Sequence, residues 1–236
     1  MNEILKDYKN FNLDKVLNHN FKSDYKVIKK STGVAFKSNL DFGYFHQRIH
    51  ITVNNYGQAP SDRANNFGYT VDLIVKNDSI IGLLNLDYYE PNSQIYYDES
   101  KIQRYVNLHD KFYHTTTSVR DFISSFRPDG KETEYGFMCG FSPVDYQVPM
   151  YSDLFFDNFK NRETFVKWIK SYDLGLQAYG VTALEFLRDN KKVVLTGEEN
   201  TIINNIRKRN SVISTCGGCL GGYSKIYNET PRKRNG

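Results

Sequence analysis

The chain has 236 residues, of which 39% are hydrophobic, and this is enough for a sizeable folded core. The formal net charge of +4 is small for this length, so we expect no general surface for duplex nucleic acid, and any affinity for phosphate must be local. No apolar run approaches the roughly 18 residues of a membrane span, and the N-terminus lacks a signal peptide's apolar stretch. The sequence predicts a protein that is neither membrane-bound nor secreted.

The first half of the chain has mainly strand patterns. Residues 1–20 predict a helical appendage, with Asn12 as the N-cap of a short helix. Alternation of apolar and polar residues predicts five strands: Tyr25–Lys29, Gly33–Lys37, Phe45–Val53, Tyr69–Lys76 and Ser79–Tyr88. A turn at 31–33 separates the first two strands, Asn54–Gly68 is a polar loop, and Asn77–Asp78 closes a hairpin.

The second half of the chain has mainly helical patterns. Apolar spacing predicts five helices: Glu99–His109, Val119–Phe126, Glu163–Tyr172, Gly180–Arg188 and Glu198–Lys208. Strands are predicted at Phe112–Thr117 and Lys191–Leu195, while residues 135–156 are aromatic and irregular, with room for two strands. We predict one α+β domain over 1–214 and a flexible, glycine-rich and basic tail over 215–236.

Three cysteines and one histidine pair have spacings that invite a metal or redox interpretation. Cys139, Cys216 and Cys219 are too few for a disulfide framework and fit a reducing cytoplasm. Cys216 and Cys219 have the spacing of half a zinc site or a redox pair, but no second cysteine pair exists. His46 and His50 would be about 13 Å apart on a strand. The sequence therefore predicts no metal site.

Two runs share the pattern His-x-Thr, and both coincide with predicted strands. They are His50–Val53 and His114–Thr117. Because strand side chains alternate between faces, the histidine and the threonine of each run must point the same way. Two such strands side by side would place two imidazoles and two hydroxyls around one pocket. Such a pocket is suited to holding a phosphate and moving protons on either side of it.

The pair of runs resembles the two His-hydrophobic-Thr-hydrophobic motifs of the 2H phosphoesterase family. His50–Val53 matches the motif at all four positions, whereas His114–Thr117 has threonine where the family has apolar residues. The resemblance implies a bilobal α+β fold of antiparallel sheets flanked by helices, with added terminal segments. It also implies a hydrolase, a phosphodiesterase that needs neither metal nor cofactor.

The resemblance assigns roles to four residues. His50 and His114 would be the acid–base pair, one taking a proton from the attacking oxygen and the other protonating the leaving oxygen. Thr52 and Thr116 would hold the phosphoryl oxygens. Imidazole titrates near neutral pH and suits either role, so the sequence does not say which histidine is the base.

Further candidates would bind the substrate rather than transform it. Tyr44 and Tyr113 could stack a base, and Arg120 could neutralise a phosphate. Members of the family act on 2′,3′-cyclic phosphates, 2′-5′ oligoadenylates and, in phage anti-CBASS proteins, cyclic oligonucleotide messengers. The resemblance thus implies a small cyclic or 2′-5′-linked nucleotide as partner, and a viral enzyme that degrades immune messengers in the host cytoplasm. The alternative is a non-enzymatic protein that binds a nucleotide or another protein, such as an inhibitor or sponge.

Overall fold

The computed structural model describes residues 5–18, 27–55, 65–87, 94–126, 133–136, 161–217 and 220–225. These residues form an α+β structure with a five-stranded antiparallel sheet, which confirms the predicted class. The specific 2H architecture remains a prediction. The chain divides into two compact units, Met1–Leu108 and His109–Gly236.

The first unit contains the five-stranded sheet. A 3-10 turn at Tyr8–Asn10 and helix α1 (Leu13–Asn18) precede it. The strands, in chain order and in spatial order, are β1 (Val27–Asn39), β2 (Tyr44–Asn55), β3 (Asn65–Lys76), β4 (Ser79–Asp87) and β5 (Gln94–Tyr97). A second 3-10 turn, Asp41–Gly43, connects β1 to β2. Helix α2 (Glu99–Tyr113) begins in this unit and ends in the second.

Strand β2 separates an apolar face of the sheet from a polar one. Ile49 and Ile51 are buried among Val71, Leu73 and Leu83 of the neighbouring strands. The same apolar cluster includes Leu5 and Val16 from the N-terminal segment, so the predicted appendage covers this face. The alternation predicted for β2 is therefore confirmed, with His50 and Thr52 on the opposite face.

Two predicted turns had different outcomes. The hairpin between β3 and β4 is confirmed, since Asn77 and Asp78 both have positive φ (48° and 58°), as the mirror-image two-residue turn requires. The turn predicted at 31–33 is wrong, because β1 is one strand in which Gly33 lies opposite His50. Pairing with β2 along almost the whole strand outweighs the local turn preference, and two bulges take up the irregularity.

Helix α2 is longer than the sequence pattern indicated. Its buried residues Ile102, Tyr105, Val106, His109 and Tyr113 keep helical spacing to the end. The strand predicted at 112–117 is consequently wrong.

The second unit is mainly helical. Its elements are α3 (Val119–Ser124), α4 (Arg162–Ile169), α5 (Leu174–Asp189), α6 (Gly197–Arg209), β6 (Val212–Gly217) and β7 (Leu220–Lys225). Helix α5 starts earlier than predicted because Asp173 caps it, accepting a hydrogen bond from the Leu176 amide at 3.0 Å. The predicted α6 is confirmed, with a capping box between Thr196 and Glu199.

Four sequence expectations in this unit need correction or lie outside the described residues. The tail predicted from residue 215 instead pairs β6 with β7 as far as Lys225, and residues 226–236 lie outside the description. Residues 191–195 form no strand. Of 135–156, the structure describes only 135 and 136, and Tyr135 bridges Thr215 in parallel. Cys216 is disulfide-bonded rather than a free thiol, and its partner lies outside the described residues.

The contact between α4 and α5 depends on a glycine. A Cβ added at Gly180 would lie 2.8 Å from the Phe165 carbonyl oxygen and 2.8 Å from a methyl carbon of Ile169. Both distances are shorter than van der Waals contact, so the two helices can pack this closely only without a side chain there.

We expect Gly180→Ala to destabilise the protein by about 1–3 kcal/mol, because α4 must move away from α5. Urea unfolding measures the change. The matched control is Gly197→Ala at the first turn of α6, where an added Cβ meets nothing within 4 Å. Alanine should leave the free energy of unfolding equal or raise it by up to about 1 kcal/mol there. Equal losses in the two variants would contradict this account of the helix contact.

Candidate ligand-binding site

The polar face of β2 carries a buried cluster of charges. Asp72 on β3 accepts hydrogen bonds at Oδ1 from His46 Nε2 (2.7 Å) and Arg48 Nε (2.8 Å), and at Oδ2 from Arg48 Nη2 (3.1 Å). Asp72 is fully buried, and the side chains of His46 and Arg48 are less than one-tenth exposed. The cluster ties β2 to β3 inside the fold. Because the cluster is buried and both Asp72 oxygens accept hydrogen bonds within it, we assign it a structural role rather than contact with a substrate.

The Asp72 carboxyl is held in its charged form. Burial by itself raises its pKa, but the charges and hydrogen bonds of His46 and Arg48 oppose this and bring the pKa below its ordinary value. The negative charge is thus retained at neutral pH where it offsets the buried guanidinium of Arg48.

His50 and Thr52 lie on the same polar face of β2, further along the strand. His50 is partly buried, and its Nδ1 lies 3.1 Å from Oγ1 of Thr70 on β3. Thr52 is also partly buried and lies opposite Gly68. The first His-x-Thr run therefore has the strand and the shared face that the sequence predicted.

The second His-x-Thr run has neither. His114 and Thr116 are exposed in the second unit, and His114 follows the last residue of α2 with a positive φ of 52°. Asp110 of α2 holds the chain in a turn here, accepting hydrogen bonds from Thr115 Oγ1 (2.7 Å), Thr117 N (2.8 Å) and Thr117 Oγ1 (2.7 Å). Three bonds to one carboxylate outweigh the strand preference of threonine.

The turn after α2 also orients a tyrosine. Because the Thr117 hydroxyl donates to Asp110, the Tyr172 hydroxyl donates to Thr117, with the two oxygens 2.6 Å apart. Burial is the main cause that raises the pKa of Tyr172 to about 12. This hydroxyl therefore stays protonated and serves as a fixed hydrogen-bond donor.

The three residues predicted to bind the substrate, Tyr44, Tyr113 and Arg120, lie in different environments: a cavity wall, a buried core and an exposed helix surface. Tyr113 is fully buried in the second unit, its ring is stacked on His109 with centroids 4.3 Å apart, and its hydroxyl accepts a hydrogen bond from Asn205. This core position does not suit the predicted role of stacking a substrate base. Arg120 is exposed on α3. Tyr44 belongs to the first unit, where it lines a cavity.

The cavity in the first unit has a volume of about 350 Å³. Small-molecule sites typically have volumes of about 300–1,000 Å³, so this cavity is near the lower end of that range. Cationic, aromatic, polar and apolar side chains line it: Lys76, Lys101, Arg104, Phe42, Tyr44, Asn77, Ser79, Ile81 and Leu108. We refer to this site as the first-unit cavity.

Three structural elements bring these side chains together. Helix α2 contributes Lys101, Arg104 and Leu108, whose spacing of three and four residues places them on one helix face. The β3–β4 hairpin contributes Asn77 of its tight turn and side chains on both flanking strands, and the 3-10 turn with the first residue of β2 contributes Phe42 and Tyr44. Each element can be predicted from its own stretch of sequence, but no sequence motif predicts that these elements come together around a cavity.

The three cations of the cavity have different partners. Lys76 Nζ donates to the Phe42 carbonyl oxygen and lies 4.7 Å from the centre of the Tyr44 ring. Lys101 Nζ lies 3.4 Å from Asp98, a partly exposed pair that contributes little stability. Arg104 forms no ion pair with a carboxylate in the described parts of the chain. The cavity therefore carries more positive than negative charge.

Tyr44 is a neutral member of this wall. Burial raises the pKa of its hydroxyl, and the positive charge of Arg104 reduces that rise. The hydroxyl thus stays protonated at physiological pH, and it lies in the field of the guanidinium that a ligand anion would meet.

The described residues contain no candidate metal centre. No three histidine, cysteine, aspartate or glutamate side chains come together there as potential metal ligands. In the same residues, no helix combines the length and the apolar character needed to cross a membrane.

We expect Asp72→Asn to lower the free energy of unfolding by about 3–5 kcal/mol, because Arg48 and His46 lose the buried charge that they face. Asp189→Asn is the control, since Asp189 forms an exposed pair with Arg188 and should change stability by less than about 1 kcal/mol. Urea unfolding distinguishes the two. A small effect at Asp72 would show that the cluster is not a main support of the sheet.

The contribution of Asp72 should also depend on pH. Because its pKa is lowered on folding, the contribution is present above the pKa of an unfolded aspartate, about 3.9, and is lost as the pH falls through the lower folded value. We therefore expect the difference between wild type and Asp72→Asn to shrink below about pH 4.

Comparisons with family models, curated proteins and solved structures found no match to this chain. A function must consequently be inferred from the residues themselves. In the described part of the chain, the first-unit cavity combines concave shape, excess positive charge and aromatic walls, and these features suit a small anionic ligand.

Proposed function

We propose that this protein binds a small phosphate-bearing ligand in the first-unit cavity. The observation that carries the proposal is the convergence of Lys76, Lys101 and Arg104 around one cavity, with Arg104 unpaired by any carboxylate in the described residues. Hydrogen bonds from charged donors to phosphate are short and strong, and arginine can bind two phosphate oxygens at once. Nucleotides are the phosphate class that the resemblance to 2H phosphoesterases implies.

The size and polarity of the cavity restrict the ligand. A volume of about 350 Å³ suits a small molecule and not a folded nucleic acid. Ser79 and Asn77 offer polar groups beside the cations, while Ile81 and Leu108 provide apolar walls. A ligand with one charged end and one less polar end therefore fits the lining better than a free inorganic ion, which would leave the apolar walls uncovered.

We expect the double variant Lys101→Gln with Arg104→Gln to bind ribose 5-phosphate and adenosine 5′-monophosphate at least about tenfold more weakly than wild type. Each lost charge-assisted hydrogen bond costs about 1.5–3 kcal/mol. NMR titration or calorimetry at low ionic strength measures both affinities, and added salt should weaken them.

The control for this experiment is Arg188→Gln. Arg188 is exposed on α5 and pairs with Asp189, so its removal changes the net charge without altering the cavity. Unchanged affinity in that variant, beside a loss in the double variant, assigns binding to the cavity. Equal losses would indicate nonspecific attraction, and the absence of binding of either phosphate by wild type would refute the proposal.

Phosphodiesterase activity is a second candidate function. What favours it is His50, which lies on the predicted strand, is partly buried, and sits at hydrogen-bond distance from the Thr70 hydroxyl. The pairing of His50 with His114 that the 2H resemblance implies remains a prediction, and His114 belongs to the second unit. The binding proposal does not require either imidazole.

The two functions predict opposite results with nucleotides in the presence of EDTA. The binding function predicts that 2′,3′-cyclic mononucleotides, cyclic dinucleotides, cyclic trinucleotides and 2′-5′ oligoadenylate are recovered intact, as measured by chromatography, and this is the result we expect. A 2H phosphodiesterase would cleave one of them, and His50→Ala and His114→Ala would each reduce turnover by about 100-fold or more.

The effects of the two histidine variants on turnover would also distinguish the 2H mechanism from one that uses His50 alone. If turnover were lost in His50→Ala but kept in His114→Ala, the chemistry would be centred on β2 without the 2H pair. Circular dichroism of each variant shows whether the fold is retained.

A further inference from the structure

Phe42 adopts a backbone conformation that is unfavourable for its side chain. It lies in the 3-10 turn Asp41–Gly43 with φ 59° and ψ 27°, in the left-handed region. This region is unfavourable by about 1–2 kcal/mol for a residue with a Cβ, and a bulky residue there is uncommon. Glycine or asparagine would form the same turn with less strain.

The phenylalanine ring lines the first-unit cavity rather than filling the apolar cluster on the other face of the sheet. It is partly buried, and its centroid lies 6.2 Å from that of Tyr105 with the rings inclined at 65°. The apolar cluster of Ile49 and Ile51 does not include it. The ring therefore packs on Tyr105 and at the same time forms part of the cavity wall, where a ligand could reach it.

The turn that carries Phe42 is also fixed to a cation of the cavity. Lys76 donates a hydrogen bond to the Phe42 carbonyl oxygen. Gly43 has a positive φ of 72°, which favours glycine, and a Cβ there would lie 3.0 Å from Lys76 Nζ. A phosphate bound by Lys76 would consequently lie next to the turn from which the ring projects.

We propose that Phe42 is a specificity-determining residue that reads a planar ring in the ligand, so that the cavity takes a ring-bearing monophosphate of the nucleotide class. The inference rests on the proposed function of the cavity. Phosphate oxygens meet Lys76, Lys101 and Arg104, and the ring of the ligand packs on the Phe42 ring. Stacking on an aromatic side chain adds affinity for any base, because every base has a π-face.

The test compares two phosphates that differ in the ring. Wild type should bind adenosine 5′-monophosphate about tenfold more tightly than ribose 5-phosphate, which has the phosphate and the sugar but no base. Phe42→Gly should bring the ratio of the two affinities, both measured in the same variant, close to one. Circular dichroism checks that this variant stays folded, because glycine relieves the backbone strain but loses the ring contact with Tyr105.

Two further variants make the result specific to the ring. Phe42→Leu keeps an apolar side chain without a π-face and should also lose the preference, which guards against a backbone change in the glycine variant. Phe42→Tyr keeps the ring and should retain the preference. NMR titrations of all four proteins with both phosphates give the comparison.

The outcomes distinguish this inference from the function on which it rests. Equal affinities of wild type for the two phosphates, or a full preference in Phe42→Gly and Phe42→Leu, would overturn the role of Phe42 while the cavity remains a phosphate site. Failure of wild type to bind either phosphate would overturn both. Loss of the preference together with retained ribose 5-phosphate binding supports both.

Discussion

The arrangement of the first unit depends on a carboxylate buried between two strands. Asp72 accepts hydrogen bonds from His46 and Arg48 and fixes how β2 lies against β3 on the polar face of the sheet. A buried charge without a partner is strongly destabilising, so a shift of β2 against β3 that separated Asp72 from His46 and Arg48 would be unfavourable. With the register fixed, Tyr44 and Lys76 lie opposite one another at one end of the pair, where the cavity begins.

The first-unit cavity and the two His-x-Thr runs represent different kinds of site. A run of four residues on a strand is visible in the sequence, and the face shared by His50 and Thr52 follows from strand alternation alone. The cavity instead joins residues between 42 and 108 from a turn, a hairpin and a helix. Its charge is unremarkable in each segment and becomes a concentrated positive field only when the three segments meet around low-dielectric walls.

Much of the first unit could be predicted from the sequence, and the reasons for the failures are local. The alternation of β2 and the Asn77–Asp78 turn express geometry that any chain must obey. His114–Thr117 reads as a strand because threonine favours strands, yet the Asp110 carboxylate, four residues before His114, forms a capped turn with the same threonines. The β6–β7 hairpin was missed because glycines suggest flexibility until a partner strand is known.

The tight turn between β3 and β4 makes the lining of the first-unit cavity sensitive to the number of residues in the hairpin. Hairpin ends are usually where insertions are tolerated. Here Lys76 and Ser79 flank a two-residue turn and both line the cavity. Since neighbouring strand positions face opposite ways, one residue added to either strand beside the turn would turn Lys76 or Ser79 away from the cavity. Natural variants of this protein that keep the cavity should therefore keep the number of residues in this turn, and positions 77 and 78 should hold residues such as Asn, Asp or Gly that accept a positive φ.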